Sequence, residues 1–376
     1  MQGSRRFRRL RNNCKGFEIA MKYTRFFHMR RGPLRTALIV LLCLSFVLPL
    51  AACGEDAMAQ KQIFAMDTVM TLTAYGKHRD AGLAAAEGVI LSMEAQLDPE
   101  LPTSAIYAIN HAGGKNVVIS AQLAKMLSTA ATVYAQSGGA LDPTIYPLIK
   151  RWGFIDGKYY LPSDEEISAD MAKMCFDQMI LTSFPSSGAY SVSMPAGAQL
   201  SFGAVAKGCA SENAVDAMRQ AGVTSGIISL GGNVQTLGMK PDGSFWKVAI
   251  QDPNNTSNYL GVVNVGETAV ITSGSYQRFF VANNGRTYHH ILNPQTGYPV
   301  VNSLRSVTIV CEDGTLADCL STAMFVLGEA KAINYWRSNG GFEMILVTSD
   351  DRIVCTQGLL ESFTLTNSNF KLQFCE

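Results

Sequence analysis

The stretch from Thr315 to Thr322 holds a carboxylate and a hydroxyl at a spacing that could bind a cation. Asp318 and Thr322 are four residues apart, so a helix would present both on one face. Carboxylate and hydroxyl oxygens suit a hard cation such as Mg²⁺. The same letters are also close to a capping box that starts at Thr315, in which Asp318 would only hold the helix N-terminus. The residues by themselves leave both interpretations open.

A second stretch, Ser201-Phe202-Gly203-Ala204-Val205-Ala206-Lys207-Gly208, combines small residues with one lysine. The small side chains leave backbone N–H groups approachable, and Lys207 stands at the start of a predicted helix. Free N–H groups beside an ammonium group form a seat for a phosphate. A glycine-rich turn with a solvated lysine explains the same letters equally well.

Two adjacent histidines, His289 and His290, are candidates for proton transfer. Histidine titrates near neutral pH, which makes it the usual acid or base. Neighbouring side chains of a strand point to opposite faces, so one of the pair can face solvent while the other enters a cleft. A purely structural histidine is the alternative.

Two turns could bring the backbone close to a ligand. In Ala140-Leu141-Asp142-Pro143-Thr144 the aspartate precedes a proline, which fixes the backbone and directs the carboxylate outward. A capping aspartate is the plain alternative. Leu230-Gly231-Gly232-Asn233 follows an apolar run, and its glycines permit close approach of a ligand or another strand. A simple tight turn explains the glycines equally well.

The elements that must position these residues interleave irregularly. Helical periodicity predicts helices over residues 81–96, 121–136, 205–221 and about 316–327. Strand-like runs cover residues 68–75, 226–230, 246–250, 269–273, 306–310 and 344–348. This order predicts an α+β fold with mixed β-sheets packed against helices. The chain has no GxxxxGK[ST] and no GxGxxG after a strand, which disfavours the common nucleotide-binding folds.

Residues 1–52 have the pattern of a secretory signal. Basic residues precede an unbroken apolar run from Ala37 to Leu48, and small residues stand before Cys53. Leu50-Ala51-Ala52-Cys53 matches a lipobox, in which cleavage makes Cys53 the lipidated first residue of the mature chain. The run is too short for a comfortable membrane-spanning helix, which needs roughly 20 residues. The alternatives are an uncleaved anchor and an ordinary signal that happens to contain Cys. We therefore expect a lipid-anchored membrane protein that faces outside the cytoplasm, in the periplasm or at the cell surface.

Charge and length limit what the remaining residues can be. Residues 53–376 hold 20 basic and 29 acidic residues, a balance that lacks the positive footprint needed to bind nucleic acid. We expect residues 53–62 to be a short tether and residues 63–376 a single folded unit, since no linker or repeat interrupts them. None of the six cysteines after Cys53 forms a CxxC pair, and both disulfides and buried free thiols remain open.

In this order and at these spacings, the stretches resemble the ApbE family, the FAD:protein FMN transferases. The similarity runs from about Phe64 to Leu359. Further motifs that carry it are Met66-Asp67-Thr68-Val69-Met70, Leu101-Pro102-Thr103-Ser104 with Ile106 and Asn110, Trp152-Gly153-Phe154, and Pro294 with Thr296-Gly297. Each motif is weak alone, whereas seven in sequence are specific.

The resemblance implies the family's fold and a role for each candidate residue. Asp318 and Thr322 would bind Mg²⁺ through their side chains, and Ala204 through its backbone carbonyl. His290 would handle the proton, with Asp318 as the second catalytic residue. The residues that would contact FAD are Met66, Ala140, Leu141, Asp142, Ser201, Lys207, Leu292 and Ser321, the last of them beside the pyrophosphate.

The implied reaction uses FAD as substrate and attaches FMN through a phosphoester to a Thr or Ser of a partner protein, with release of AMP. We expect the acceptor in trans, for example a subunit of a membrane redox complex. Hydrolysis of FAD by water and non-catalytic flavin binding are the alternatives. One departure from the family pattern is Ser201, which stands where an Asp is usual. One carboxylate is therefore missing, and metal or flavin affinity could be weaker or differently arranged.

Overall fold

The structure is a computed structural model that describes residues 57–376, and these belong to one compact unit. The predicted signal and the lipobox with Cys53 lie outside the described residues. None of the described helices has the length and apolarity needed to cross a membrane. All six cysteines of the described part are free thiols.

Helices in the described residues begin where the sequence offers caps. Ser120 accepts a hydrogen bond from the N–H of Leu123 at the start of the second long helix, and Ser163 forms a full capping box with Glu166. The helices are α1 (Arg79–Leu97), α2 (Ala105–Asn110), α3 (Ala121–Gln136), α4 (Tyr146–Arg151), α5 (Asp164–Met171), α6 (Ala206–Gln220), α7 (Gly314–Leu327) and α8 (Glu329–Asn339). All four predicted helices are confirmed, with ends within two residues.

The strands of residues 57–376 are mostly antiparallel. They are β1 (Met58–Ala65), β2 (Thr68–Tyr75), β3 (Val117–Ile119), β4 (Ile180–Phe184), β5 (Ala189–Ser193), β6 (Gly226–Leu230), β7 (Asn233–Leu237), β8 (Trp246–Gln251), β9 (Tyr259–Val265), β10 (Ala269–Gly274), β11 (Phe279–Val281), β12 (Thr287–His289), β13 (Leu304–Cys311), β14 (Glu343–Thr348), β15 (Arg352–Thr356), β16 (Phe363–Leu365) and β17 (Lys371–Cys375). The six predicted strands are confirmed. Within residues 57–376, only β15 and β17 pair in parallel.

The central sheet has nine strands in the order β1-β2-β6-β7-β10-β13-β14-β15-β17. One face of this sheet carries the main core, in which α1, α6 and α7 pack against the sheet and α3 packs against α7. Its other face packs against the small sheet β16-β9-β8 through Trp246, Val263 and Ile345. Helices on one face of a mixed sheet make the α+β class predicted from the sequence.

A smaller third core supports the region around the site. Leu148, Trp152 and Phe154 pack there with Leu292, and the aromatic rings of Phe280 and Tyr288 cover them. This cluster joins the end of α4 to the β11–β12 ribbon, which pairs with no other described strand.

The predicted tether over residues 53–62 is wrong from Met58 onward. Met58–Ala65 forms β1, which pairs antiparallel along its whole length with β2. The strand was not predicted because its middle is the polar run from Gln60 to Gln62. An edge strand can contain such a run, since it needs few apolar side chains. Pairing with β1 satisfies the outer backbone groups of β2 that water would otherwise contact.

Candidate functional site

A cleft of about 1070 Å³, measured out to its mouth, brings most of the predicted residues together. One part of its lining, which we call the apolar wall, consists of Leu141, Ile145, Ile149, Phe154, Ile291 and Leu292. The other part, the polar set, consists of Lys207, Asn233, Ser273, His290, Asp318 and Thr322. Ala140, Asp142, Ser201 and Ala204 also line the cleft, as expected from the sequence. An apolar pocket with a few convergent polar groups is the usual form of a ligand site.

Asp318 does not cap its own helix. The N-cap of α7 is Asp313, whose side chain accepts from the N–H of Leu316. The hydroxyl of Thr315 is also engaged elsewhere, because it donates to Glu212 of α6. The capping-box interpretation is therefore wrong, and the Asp318 carboxylate is directed toward α6.

The Asp318 carboxylate holds the N-terminus of α6. Its Oδ2 accepts from the N–H of Gly208 at 2.7 Å, although the two residues are 110 positions apart. Burial raises the pKa of Asp318, while the charge of Lys207 and the N–H of Gly208 oppose that rise. Asp318 also lines the cleft, so its carboxylate can contact a ligand there.

The predicted seat of free N–H groups before Lys207 is found only in part. The N–H of Gly203 donates to the Ser201 hydroxyl, and the N–H groups of Val205 and Ala206 both donate to the carbonyl of Phe202. With Gly208 bonded to Asp318, these donors are taken by the protein itself, whereas the N–H of Ala204 has no acceptor within residues 57–376. This stretch therefore offers a phosphate the Lys207 ammonium and the N–H of Ala204.

Three further polar groups line the cleft together with Asp318, namely the Ala204 carbonyl, the Thr322 hydroxyl and the Asn233 amide. Among the described residues, no backbone N–H donates to the carbonyl of Ala204, because Gly208 is diverted to Asp318. The Thr322 hydroxyl lies 3.3 Å from that of Ser273. Asn233, buried at the start of β7, lowers the pKa of Asp318, yet its Nδ2 has no partner at full hydrogen-bond geometry in residues 57–376. An amide that is buried in a cleft without a hydrogen-bond partner can bond to a ligand that binds there.

Two predicted contacts with FAD do not line the cleft. Ser321 is fully buried, and its hydroxyl bonds to Ser273 and to the carbonyl of Asp318. Met66 lies in the β1–β2 turn with φ +49°, where its N–H donates to Glu94. Ser321 thus supports Ser273, which does line the cleft. Met66 precedes Asp67, which contacts Arg278 at 3.8 Å beside the cleft.

The two histidines have separate roles, as the alternation predicts. His289 packs edge-on against Phe325, and its Nε2 bonds to the carbonyl of Val300. His290 lines the cleft, and its Nδ1 lies 3.1 Å from the carbonyl of Arg278. Because a carbonyl can only accept, Nδ1 carries the proton and Nε2 presents a free lone pair. His290 is therefore the histidine that can accept a proton in the cleft.

Burial also fixes the charge of His290. It lowers the pKa of His290 to about 3, and the nearby guanidinium of Arg278 acts in the same direction. Burial also lowers the pKa of His289. Both rings are therefore neutral in the folded protein near neutral pH.

Because the pKa of His290 is lower in the folded protein than in the unfolded chain, we predict that the stability depends on pH. In the unfolded chain the His290 ring binds a proton below about pH 6.5, whereas the folded protein does not until about pH 3. The unfolded state then holds more protons, so stability falls as the pH falls below 6.5. Between pH 6.5 and pH 5, we expect His290 to cost about 1–2 kcal/mol of unfolding free energy. Urea unfolding at several pH values measures this loss.

The matched variants are His290→Asn and His111→Asn. The first removes the ring that lines the cleft and should flatten the pH dependence. The second alters an exposed histidine at the C-terminal end of α2 and should not. Identical pH dependence in the wild type and in His290→Asn would contradict the assignment.

Long-range contacts hold the segment before α6 in place. The side-chain amide of Asn110 donates to the carbonyl of Leu200 and accepts from its N–H, at 3.0 and 2.7 Å. This pair of bonds fixes the chain one residue before Ser201. Asn110 was part of the motif pattern, but spacing alone assigned it no role.

The glycine pair after β6 forms a two-residue hairpin turn. Gly231 and Gly232 both have positive φ, as a type I′ turn requires. A Cβ on Gly231 would lie 2.2 Å from the Thr68 hydroxyl, so the turn also packs against β2. The tight-turn interpretation is confirmed, and the turn delivers Asn233 to the cleft.

Sequence reasoning missed Arg278 entirely. Its carbonyl accepts both the N–H and the Nδ1–H of His290, and its guanidinium donates to the carbonyl of Phe154. A single arginine in a loop has no spacing pattern that could have marked it.

Within residues 57–376, no group of three His, Cys, Asp or Glu side chains is placed to hold a metal ion. The candidate cation ligands instead include one carboxylate, from Asp318, with the Thr322 hydroxyl and the Ala204 carbonyl. Ser201 also lines the cleft, where a second carboxylate was expected from the family pattern.

Comparisons with known proteins point to one family. The sequence model of the ApbE family matches residues 66–346. The FAD:protein FMN transferase of Treponema pallidum is 31% identical over 353 residues, which cover 89% of this chain and 97% of that protein. The enzyme of the same name from Haemophilus influenzae is 26% identical, covering 84% of this chain and 94% of that protein.

Solved structures show the same fold. The ApbE protein of Thermotoga maritima superposes with a TM-score of 0.71 at 25% identity, over 83% of this chain and 98% of that one. The apo form of the flavinyl transferase ApbE from Pseudomonas stutzeri has a TM-score of 0.67 at 26% identity, over 78% of this chain and 92% of that one.

Proposed function

This chain belongs to the ApbE family, and we propose that it transfers the FMN part of FAD onto a Thr or Ser hydroxyl of a second protein in a Mg²⁺-dependent reaction. The single observation that carries the proposal is the cleft in which Lys207, His290 and Asp318 meet beside an apolar wall. The apolar wall suits the flat isoalloxazine ring, and the polar set suits a diphosphate. FAD presents both chemistries in one molecule.

The residues around Asp318 fit a magnesium ion. Mg²⁺ in phosphoryl-transfer sites is usually held by one or two carboxylates and by oxygens of the substrate, and it keeps several waters. Asp318 offers a buried carboxylate that lines the cleft, Ala204 a carbonyl without a backbone donor in residues 57–376, and Thr322 a hydroxyl. The unpartnered amide of Asn233 supports a ligand at this place. When bound, the cation would neutralise charge on the diphosphate oxygens.

The reaction moves one proton and exchanges one bond to phosphorus. The acceptor hydroxyl forms a new O–P bond to the FMN phosphorus, and the bond from that phosphorus to the bridging oxygen breaks. AMP leaves with the electron pair of the broken bond, and the hydroxyl proton goes to Nε2 of His290. The nearby diphosphate stabilises the imidazolium that results, which offsets the low pKa of the free ring. The Lys207 ammonium stabilises the charge that develops on the departing phosphate.

The decisive assay measures two products in one reaction. The protein is incubated with FAD, Mg²⁺ and an envelope protein fraction of its host, and both AMP and protein-bound flavin are quantified. We expect one flavin on protein for each AMP released, and loss of both when a chelator is added. AMP without protein-bound flavin would favour hydrolysis by water instead. Stable FAD binding with no AMP in the presence of Mg²⁺ would favour a non-catalytic flavin-binding protein.

We also propose that Cys53 is lipidated and anchors the protein in the membrane, facing outside the cytoplasm. The support is the lipobox pattern of residues 50–53. An acceptor that is itself an exported or membrane protein, such as a subunit of a redox complex, would share that location. Substituting Cys53→Ala should move the protein from the membrane fraction to the soluble fraction, and unchanged membrane association would contradict the lipid anchor.

A further inference from the structure

The β11–β12 ribbon ends beside the cleft. Arg278, directly before β11, and His290, directly after β12, both line the cleft. The N–H of His290 donates to the carbonyl of Arg278, so the two residues pair across the ribbon. A peptide segment bound along the ribbon toward these two residues would therefore reach His290, the group that accepts the proton.

The β11 strand has an open backbone edge. The bonds from His290 to Arg278 and from Ala282 to Arg286 show which pairs are hydrogen-bonded across the ribbon. Since hydrogen-bonded and non-hydrogen-bonded pairs alternate, the N–H and C=O groups of Phe279 and Val281 point away from β12. No backbone group elsewhere in residues 57–376 bonds to them.

The β12 side of the ribbon is occupied where it approaches the cleft. The chain at Pro299 and Val300 returns alongside it, with a bridge from Leu292 to Pro299 and a bond from Val300 to Ile291. His289 also bonds to the carbonyl of Val300. The free edge beside the cleft is therefore that of β11.

The side chains of the open edge are apolar and unusually exposed. Phe279 is 47% exposed and Val281 is 63% exposed, whereas Phe280 between them turns inward and stacks on Tyr159 at 4.8 Å. Open strand edges with exposed apolar side chains attract a further strand. Proteins use such edges to bind extended peptide segments, with backbone bonds for affinity and alternate side chains for specificity.

We propose that the acceptor protein presents its hydroxyl on an extended segment that pairs with the β11 edge. This inference rests on the proposed transfer function, which requires a protein hydroxyl at His290. The segment would bond to the outward N–H and C=O groups of Val281 and Phe279, and its apolar side chains would cover theirs. Each residue advances a strand by about 3.3 Å, so the residue that follows the paired part reaches the level of Gln277 and Arg278, which line the cleft.

The test uses proline to remove one outward N–H without touching the ribbon's own bonds. Val281→Pro removes the N–H that a docked segment would need, whereas Thr287→Pro makes the same change on the β12 side. The probe is a display library of short peptides with one fixed Thr and random flanks, offered to the full chain with FAD and Mg²⁺. The peptide that gains flavin fastest is then used at varied concentrations.

The expected result is a loss of about tenfold in kcat/KM for the peptide in Val281→Pro, with less than about twofold in Thr287→Pro. The FAD dissociation constant should stay the same in both variants, which shows that the cleft is intact. Val281→Ala keeps the N–H and should lose less than Val281→Pro. Equal kcat/KM in the wild type and Val281→Pro would overturn the docking proposal, as would labelling of folded acceptor proteins without labelling of any peptide. Failure of the transfer function itself has a different signature, namely AMP release with no flavin on any peptide or protein.

Discussion

Replacing Asp318 by asparagine should lower kcat/KM for FAD by about 10³-fold while the protein stays folded. The Asp318 carboxylate has two roles, since it accepts from Gly208 and supplies the negative charge of the candidate cation site. Asparagine keeps an oxygen that can accept from Gly208, so α6 remains capped. It removes the charge, so a cation that needs an anionic ligand is lost. Steady-state kinetics with varied Mg²⁺, together with urea unfolding, separates the two roles.

The matched control is Asp313→Asn, on the same helix. Asp313 caps α7 and lies near Lys125, away from the residues that line the cleft. Asparagine is as good an N-cap as aspartate, so we expect kcat/KM within about twofold of the wild type and a stability change below about 1 kcal/mol. Full activity in Asp318→Asn at ordinary Mg²⁺ concentrations would refute the assigned ligand role.

The second large effect should come from Gly208→Ala, which adds one methyl group where α6 crosses α7. A Cβ at Gly208 would lie 2.1 Å from the carbonyl oxygen of Gly314 and 2.6 Å from Cβ of Asp318. Backbone atoms cannot rotate out of the way, so the two helices must separate. We expect a loss of at least about 2 kcal/mol in the free energy of unfolding. Activity should fall about 10²-fold or more, because α6 carries Lys207 and α7 carries Asp318.

Gly88→Ala is the control for this substitution. Gly88 is exposed within α1, and nothing lies within 4 Å of the Cβ that would be added. Alanine in a helix is favoured over glycine, so this variant should gain about 0.5–1 kcal/mol with unchanged activity. The two variants should therefore change stability in opposite directions. A Gly208→Ala protein as stable as the wild type would show that the helices are not in close contact there.

Local signals predicted the long elements well. The helix over 121–136 agrees with α3 at both ends, because Ser120 caps its start and a glycine with positive φ follows soon after its end. The strands over 68–75 and 226–230 agree with β2 and β6, since each carries a run of β-branched residues. In contrast, β1 is an edge strand whose middle is the polar run from Gln60 to Gln62, and β11 and β12 have three residues each. Such strands show no clear alternation of polar and apolar residues from which a strand could be predicted.

The site was harder to predict, because its contacts join distant parts of the chain. Whether Asp318 caps a helix or faces a ligand depends on Gly208, and local spacing cannot contain that information. The same holds for Asn110 and Leu200, which are 90 residues apart. Family resemblance supplied the correct grouping for most of the cleft. It did not show that Ser321 is buried behind Ser273, that most N–H groups before Lys207 are already bonded, or that Arg278 holds His290.

The early start of β1 has a consequence for reach. Met58 already belongs to the central sheet, so at most about 18 Å of extended chain separates it from Cys53. With a lipid on Cys53, this short linker would hold the folded unit close to the bilayer. The linker is shorter than the radius of gyration of the folded unit, which is about 20 Å for a chain of this size. Its search for acceptors would then be confined to a thin layer above the membrane. Hydroxyls presented far from the lipid surface would stay unmodified, whatever their sequence.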